Sequence, residues 1–189
     1  HQEVIGKVAL AEPEHIDAAV NAARNAFKNW SKTNVDKRVA SLLSVANLLR
    51  ENKQYFTAWL ILESGKSWQE SDADVAEAID FLEYYAKNAK KIFKVNQIEL
   101  PGELNYYRMQ PRGVGVILSP WNFPLAIMVG MLSAAIVTGN TVVLKPSPLT
   151  PVLTVKFVEL LIEAGIPAGV VNLIQGGGKK VGELVVNHA

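Results

Sequence analysis

Apolar positions in the first half of the chain recur at helical spacing. Ile16, Ala19, Val20, Ala23, Ala26 and Phe27 form one stripe, opened by Pro13, where a first-turn proline is tolerated, and ending near Trp30. Asn34 or Asp36 caps a second helix whose stripe is Val39, Leu42, Leu43, Ala46 and Leu49. A third pattern, Tyr55, Phe56, Trp59, Leu60 and Leu62, stops at Ser64-Gly65. The fourth runs from Asp72 to Phe93, with Val75, Ala76, Ile79, Leu82, Tyr85 and Ala86 on its apolar face. Its acids crowd the first half and its lysines the second, which complements the helix dipole. Val4 to Leu10, ahead of all four, reads as a short strand.

The period then changes. Asn96 to Arg112 places β-formers on either side of Pro101-Gly102, the pattern of a hairpin or of an excursion between layers. From Gly113 onward strands and helices alternate. Gly115 to Leu118 is a strand, Ser-Pro-Trp-Asn-Phe-Pro a tight turn, Leu125 to Val137 an apolar helix, and Thr141 to Leu144 a second strand leading into Lys145-Pro146. A helix after Pro151 carries Val155, Val158, Leu161 and Ile162 and closes at Gly165. Val170 to Ile174 is a third strand, and Gly176-Gly177-Gly178 precedes a last helix, Val181 to Val186. Strands joined by helices of this length form βαβ units of a parallel sheet. The fold class is therefore α/β, an N-terminal helical layer with a doubly wound parallel sheet. The division expected is 1–112, helical with the hairpin, and 113–189, the start of a Rossmann-like sheet, one intertwined domain being the other arrangement. Ligands of such sheets sit beyond the strand C-termini, where Ser119 to Asn122 and Lys145 to Ser147 both fall.

Composition narrows the classes. The 189 residues are 49% hydrophobic and 20% charged, enough for a substantial core in an ordinary globular protein. A net charge of +1 without a basic run lacks the footprint of a nucleic-acid binder. The absence of cysteine excludes disulfides, thiolate metal ligands and any thiol nucleophile within these residues. His1, His15 and His188 stand apart, without the spacing of a ligand pair, so no metal site is expected. The longest apolar run, Pro124 to Val137, is too short for a bilayer, where roughly 20 residues are needed. No signal-peptide pattern opens the chain, and a cytoplasmic location is the expectation. A start on His1 and a stop at Ala189, straight after a helical pattern, suggest a piece of something longer.

Several residues could carry chemistry. Asn122 lies between Pro120 and Pro124 in a stiff turn, where its amide could donate to a developing oxyanion or merely cap the following helix. Lys145 ends a strand, where it could hold a phosphate or ribose hydroxyls or be a surface lysine. The triple glycine lets backbone approach a pyrophosphate closely, although GGGKKVG is not the GxGxxG fingerprint. Glu77 and Asp80 share a helix face, by spacing alone a solvated acidic flank. Tyr106 and Tyr107 suit an edge strand or an oligomer contact. Residue chemistry thus reaches a dinucleotide-binding α/β domain with a candidate oxyanion donor.

The motif PWNFP, followed after one helix by GNTVVLKP, resembles the aldehyde dehydrogenase superfamily, and ESGK (Glu63 to Lys66) and GVVNLIQGGG (Gly169 to Gly178) extend the likeness over essentially the whole chain. SDADVAEAIDFLEYYA and IVTGNTVVLKP are similar to the bacterial 1-pyrroline-5-carboxylate, or L-glutamate γ-semialdehyde, dehydrogenases. The resemblance implies oxidation of a small-molecule aldehyde, the semialdehyde, to glutamate in proline and arginine catabolism, with a nicotinamide dinucleotide, by an enzyme that is a homo-oligomer when complete. It implies that Asn122 is the oxyanion-hole donor and that Phe123 walls the aldehyde pocket. Leu118, Ser119, Pro120 and Trp121 would line the nicotinamide side. Lys145 and Ser147 would hold the adenosine ribose, and Gly178 and Gly182 would lie near the adenine and pyrophosphate. Glu77 would meet the amino-acid end of the substrate. Many NAD-preferring relatives carry glutamate at the position of Pro148; without that carboxylate NAD is expected and NADP is admissible. The family's catalytic cysteine and general-base glutamate lie downstream of the matched region. A succinate-semialdehyde type of enzyme and a non-catalytic nucleotide-binding fragment are the rival readings.

Overall fold

A computed structural model describes residues 3–188. Its helices are α1 (Pro13–Trp30), α2 (Val35–Glu51), α3 (Lys53–Ser64), α4 (Trp68–Ile92), α5 (Ala126–Val137), α6 (Pro151–Glu163) and α7 (Glu183–Val186), the last preceded by a π-helical turn, Gly178–Gly182. The strands are β1 (Asn96–Leu100), β2 (Glu103–Tyr107), β3 (Val114–Leu118), β4 (Thr141–Lys145) and β5 (Val171–Leu173). Local chemistry fixes several boundaries. Asn34, not Asp36, caps α2, its side-chain oxygen accepting the Asp36 N–H at 2.7 Å. Gly65 ends α3 in the left-handed region, at φ 69°. α4 starts one turn earlier than its apolar face suggests, because Ser67 and Glu70 close a reciprocal capping box.

Two expectations need correction. Val4 to Leu10 is not a strand. Its residues are exposed apart from half-buried Val8 and pair with no strand; just past them the Ala11 N–H donates to the Gln175 carbonyl, beyond the end of β5, at 2.8 Å. The last helix is also shorter than Val181 to Val186, its first turn being π-helical through Gly182. His1 lies outside the described residues.

β3, β4 and β5 form a parallel sheet in that order, with Leu118 opposite Lys145 and Leu144 opposite Leu173. The central strand is buried throughout, and its side chains alternate between two cores. Val142 and Leu144 face α5 and α6, backed by α2, α3 and α4, in a core that includes Leu42, Phe56, Leu82, Met128 and Phe157. Val143 faces α1 and α7 together with Ile16, Val20, Val181 and Val185. The four leading helices are therefore split: α1 crosses to the far face, where Thr141 donates its hydroxyl to the Ala23 carbonyl at 2.9 Å. The larger core draws on both 1–112 and 113–189. At the opposite end of the sheet from the strand C-termini, buried Arg38 donates from Nε to Val137 O at 2.8 Å and from Nη1 to Thr33 O, tying the C-terminal ends of α5 and α1.

The β1–β2 hairpin is antiparallel, with every residue of both strands exposed. Among the described residues, no helix is long and apolar enough to cross a membrane.

Candidate active site at the strand C-termini

Backbone bonds hold the three strand ends level. The Ser119 N–H donates to the Lys145 carbonyl at 3.1 Å, and the Ile174 N–H donates to Leu144 O at 2.9 Å. The turns after β3, β4 and β5 consequently open at one edge.

The first corner runs from Ser119 to Leu125. Pro124 and Leu125 are buried and anchor it, whereas Trp121, Asn122 and Phe123 are exposed. Asn122 does not cap α5, and its amide has no hydrogen-bond partner among the described residues. The helix-cap alternative is thereby removed, because another residue takes that place. Asp74, fully buried on α4, accepts the Ala126 N–H on Oδ1 at 2.7 Å. Its Oδ2 pairs with Lys66 Nζ at 2.7 Å, and the same ammonium stands 4.0 Å from the centroid of the Phe123 ring. Ser119 Oγ, at the start of the corner, is buried with no partner among the described residues.

The second corner, Lys145 to Thr150, is mostly buried. Lys145 is not a surface lysine: it is 6% exposed, and Nζ donates to Pro146 O at 2.9 Å and Gly176 O at 3.1 Å. Among the described residues no carboxylate neutralises it. Burial pulls its pKa below the ordinary lysine range. Ser147 Oγ accepts the Leu149 N–H at 3.2 Å, shaping the turn, and Pro148 is exposed next to it. The N-terminus of α6 is satisfied from a distance: Glu63 Oε1 and Oε2 accept the Val152 and Leu153 N–H groups at 2.7 and 2.8 Å. Burial raises the Glu63 pKa, and those two backbone bonds partly offset the rise.

The third corner holds Gly176 to Gly182. A Cβ on Gly176 would lie 2.3 Å from Val181 Cγ2, so only glycine lets the π-helical turn fold back onto the strand end. Gly182 is buried, and a Cβ there would sit 3.7 Å from Lys145 Cε; Gly178 is exposed.

Leu118 ends β3, and Ser119, Pro120, Trp121, Asn122, Phe123, Lys145, Ser147, Pro148, Gly178 and Gly182 belong to three neighbouring corners. Glu77 is exposed one turn beyond Asp74 on α4. Sequence reasoning missed Asp74, Lys66 and Glu63. A signal for Asp74 was present, since it shares the stripe of Val75, Ala78, Ile79 and Leu82 and is the one acid on it. Among the described residues no group of three or more acidic or histidine side chains could hold a metal ion.

Comparison with known proteins gives this edge a context. The model of the aldehyde dehydrogenase family matches residues 1–189. The chain is 50% identical over 187 residues to a 1-pyrroline-5-carboxylate dehydrogenase of Geobacillus kaustophilus, covering 98% of the chain and 36% of that relative. It is 50% identical over 190 residues to 1-pyrroline-5-carboxylate dehydrogenase 2 of Bacillus subtilis, with 99% and 36% covered. The fold superposes on proline utilization A from Bdellovibrio bacteriovorus with TM-score 0.95 and 41% identity, over 97% of this chain and 19% of that one. It superposes on a Thermus 1-pyrroline-5-carboxylate dehydrogenase with bound NAD at TM-score 0.92 and 43% identity, over 95% of this chain and 35% of that one. The chain therefore spans about a third of the length of the curated relatives it matches. With the whole of its sequence matched and its fold shared with these enzymes, the chain belongs to the aldehyde dehydrogenase family.

Proposed function

We propose that this chain is the front part of an NAD-dependent aldehyde dehydrogenase that oxidises L-glutamate γ-semialdehyde to L-glutamate. The Asn122 amide carries the reading. It is exposed on a turn stiffened by two prolines, at the strand C-terminal edge, and nothing described in the fold uses it. Such a donor serves an oxygen from outside the protein. As a nucleophile adds to the aldehyde carbon, Asn122 Nδ2–H donates to the oxygen that gains charge, and preorganisation makes this bond stronger in the transition state than in the ground state. The nucleophile is a thiolate from a further stretch of the complete enzyme, because these residues contain no cysteine. The substrate assignment rests on the identity with proteins named 1-pyrroline-5-carboxylate dehydrogenase.

The remaining donors suit a dinucleotide. Unpartnered Ser119 Oγ and the Lys145 ammonium, which meets only carbonyls, are buried polar groups at one edge. Lys145 and the Ser147 hydroxyl would donate to ribose oxygens, Leu118, Pro120 and Trp121 would flank the nicotinamide, and Gly178 and Gly182 would admit the adenine and pyrophosphate. When bound, the dinucleotide supplies the hydride acceptor. Pro148 offers no carboxylate against a 2′-phosphate, so NADP is tolerated. Phe123 walls the aldehyde pocket, and Glu77 meets the substrate ammonium. Residues 113–189 begin the dinucleotide-binding unit, and 1–112 support it, in a cytoplasmic homo-oligomer.

The test is oxidation of L-glutamate γ-semialdehyde by the complete enzyme with NAD and then NADP, followed by absorbance of the reduced cofactor. Preferential turnover of succinate semialdehyde would overturn the substrate, and no aldehyde oxidation would overturn the activity.

A further inference from the structure

We propose that Lys66 and Asp74 are positioning residues that aim the Asn122 amide by clamping the turn on either side of it. The inference rests on the reading of Asn122 as the oxyanion donor. Asn122 has no partner of its own among the described residues, so its direction is set by its neighbours. On the C-terminal side, Asp74 Oδ1 holds the Ala126 N–H at 2.7 Å, fixing where α5 begins. On the side of Phe123, which follows Asn122 directly, the ammonium held by Asp74 Oδ2 at 2.7 Å lies 4.0 Å from the ring centroid. A single buried carboxylate thus grips the turn twice, once directly and once through a cation.

The arrangement exceeds what a helix cap needs. A cap requires one acceptor, and Asn, Ser or Thr would supply it without burying charge. Here a carboxylate with 0% side-chain exposure is paired with an ammonium at 14%, an ion pair whose desolvation is costly. What the pair adds is a cation fixed against an aromatic ring that is itself 41% exposed. Without it, the ring loses its link to Asp74, and the turn backbone that carries the Asn122 amide keeps that carboxylate's hold only at Ala126. An oxyanion donor displaced by about 1 Å loses up to about 10²-fold in rate, while ground-state substrate binding, which does not depend on that bond, is kept.

The test is steady-state kinetics of the complete enzyme carrying Lys66→Met, Lys66→Arg, Asn122→Ala and the Lys66→Met/Asn122→Ala pair. Lys66→Met keeps the aliphatic stem and the Asp74 bond to Ala126 but removes the cation. It is expected to lower kcat about tenfold or more with KM changed less than about twofold, and Lys66→Arg to restore most of kcat. In the Asn122→Ala background Lys66→Met should have no further effect, since there is no amide left to aim. The variant Lys66→Met/Asp74→Asn removes both charges together, which keeps the test open should a stranded Asp74 carboxylate impair folding. Independent, multiplicative losses of kcat in the Lys66→Met/Asn122→Ala pair would assign Lys66 to structure and overturn the clamp. So would wild-type kcat in folded Lys66→Met or Lys66→Met/Asp74→Asn. Wild-type turnover in Asn122→Ala would instead overturn the oxyanion reading, and the clamp with it.

Discussion

The corners after β3 and β4 share a construction and differ in what they show to solvent. Each leaves a parallel strand through a proline-bearing turn into a helix whose first N–H groups are held by a carboxylate from another helix, Asp74 for α5 and Glu63 for α6. The first corner buries its acid and exposes an amide and two aromatic rings; the second buries a cation and presents little besides Pro148 and Leu149. In both, remote acids accept from the helix ends, so Asn122 is not needed as a cap and no side chain of the second corner has to serve as one. Asn122 has no partner among the described residues, whereas the Lys145 ammonium ties the second corner to the third through Pro146 O and Gly176 O.

Removing the first corner's acid should have the largest effect. Asp74→Ala strands Lys66 and leaves the Ala126 N–H unpaired, and it should destabilise the protein by about 3–5 kcal/mol in chemical denaturation, as for other broken buried pairs. Asn122→Ala takes away a group with no partner among the described residues, so it should leave the unfolding midpoint in place while turnover falls about 10²-fold. A shifted midpoint with unchanged turnover would reverse the contrast between the corners.

Lys145 should part the two properties in another way. Its folded pKa lies below the unfolded value of 10.5, so the unfolded chain binds more protons between the two, and stability rises with pH across that window. Cofactor affinity should move oppositely, falling as the ammonium is lost at a pH below that of an ordinary lysine. Isothermal titration with NAD across alkaline pH, beside denaturation at the same pH values, checks both slopes. Lys145→Met should flatten the two together.

Glu63→Gln is the mildest change, expected to cost about 1 kcal/mol because one of the two α6 N–H bonds is kept. Since burial holds the folded Glu63 pKa above 4.5, its contribution to stability is full below 4.5 and is lost as pH rises through the folded value. Denaturation midpoints in mildly acidic buffer should show that slope in the wild type and lose it in the variant.

The sequence made much of this legible. Periodicity located α1 to α4 and α6, which bury one face, and short apolar runs bounded by Gly and Pro located α5 and the central strand, which are buried nearly all round. It could not say which sheet face a helix would cover: the stripe of α1 looks like those of α2 and α4, yet only α1 packs on the side of Val143. Among the site residues, Asn122 and Lys145 were legible because turn and strand end are local. Asp74 and Glu63 were not, because their partners lie 52 residues away, at Ala126, and 89 residues away, at Val152. Val4 to Leu10 misled because its β-forming residues find no strand to pair with.

Those separations also set an order of events on the ribosome. Glu63 and Asp74 are synthesised before the helices they hold, and at about 5–20 residues per second they wait several seconds for them. When α5 and α6 emerge, the residues that accept their first N–H groups have already been made. A change that slows the packing of the leading helices should therefore lower the yield of folded protein even where the finished protein is stable.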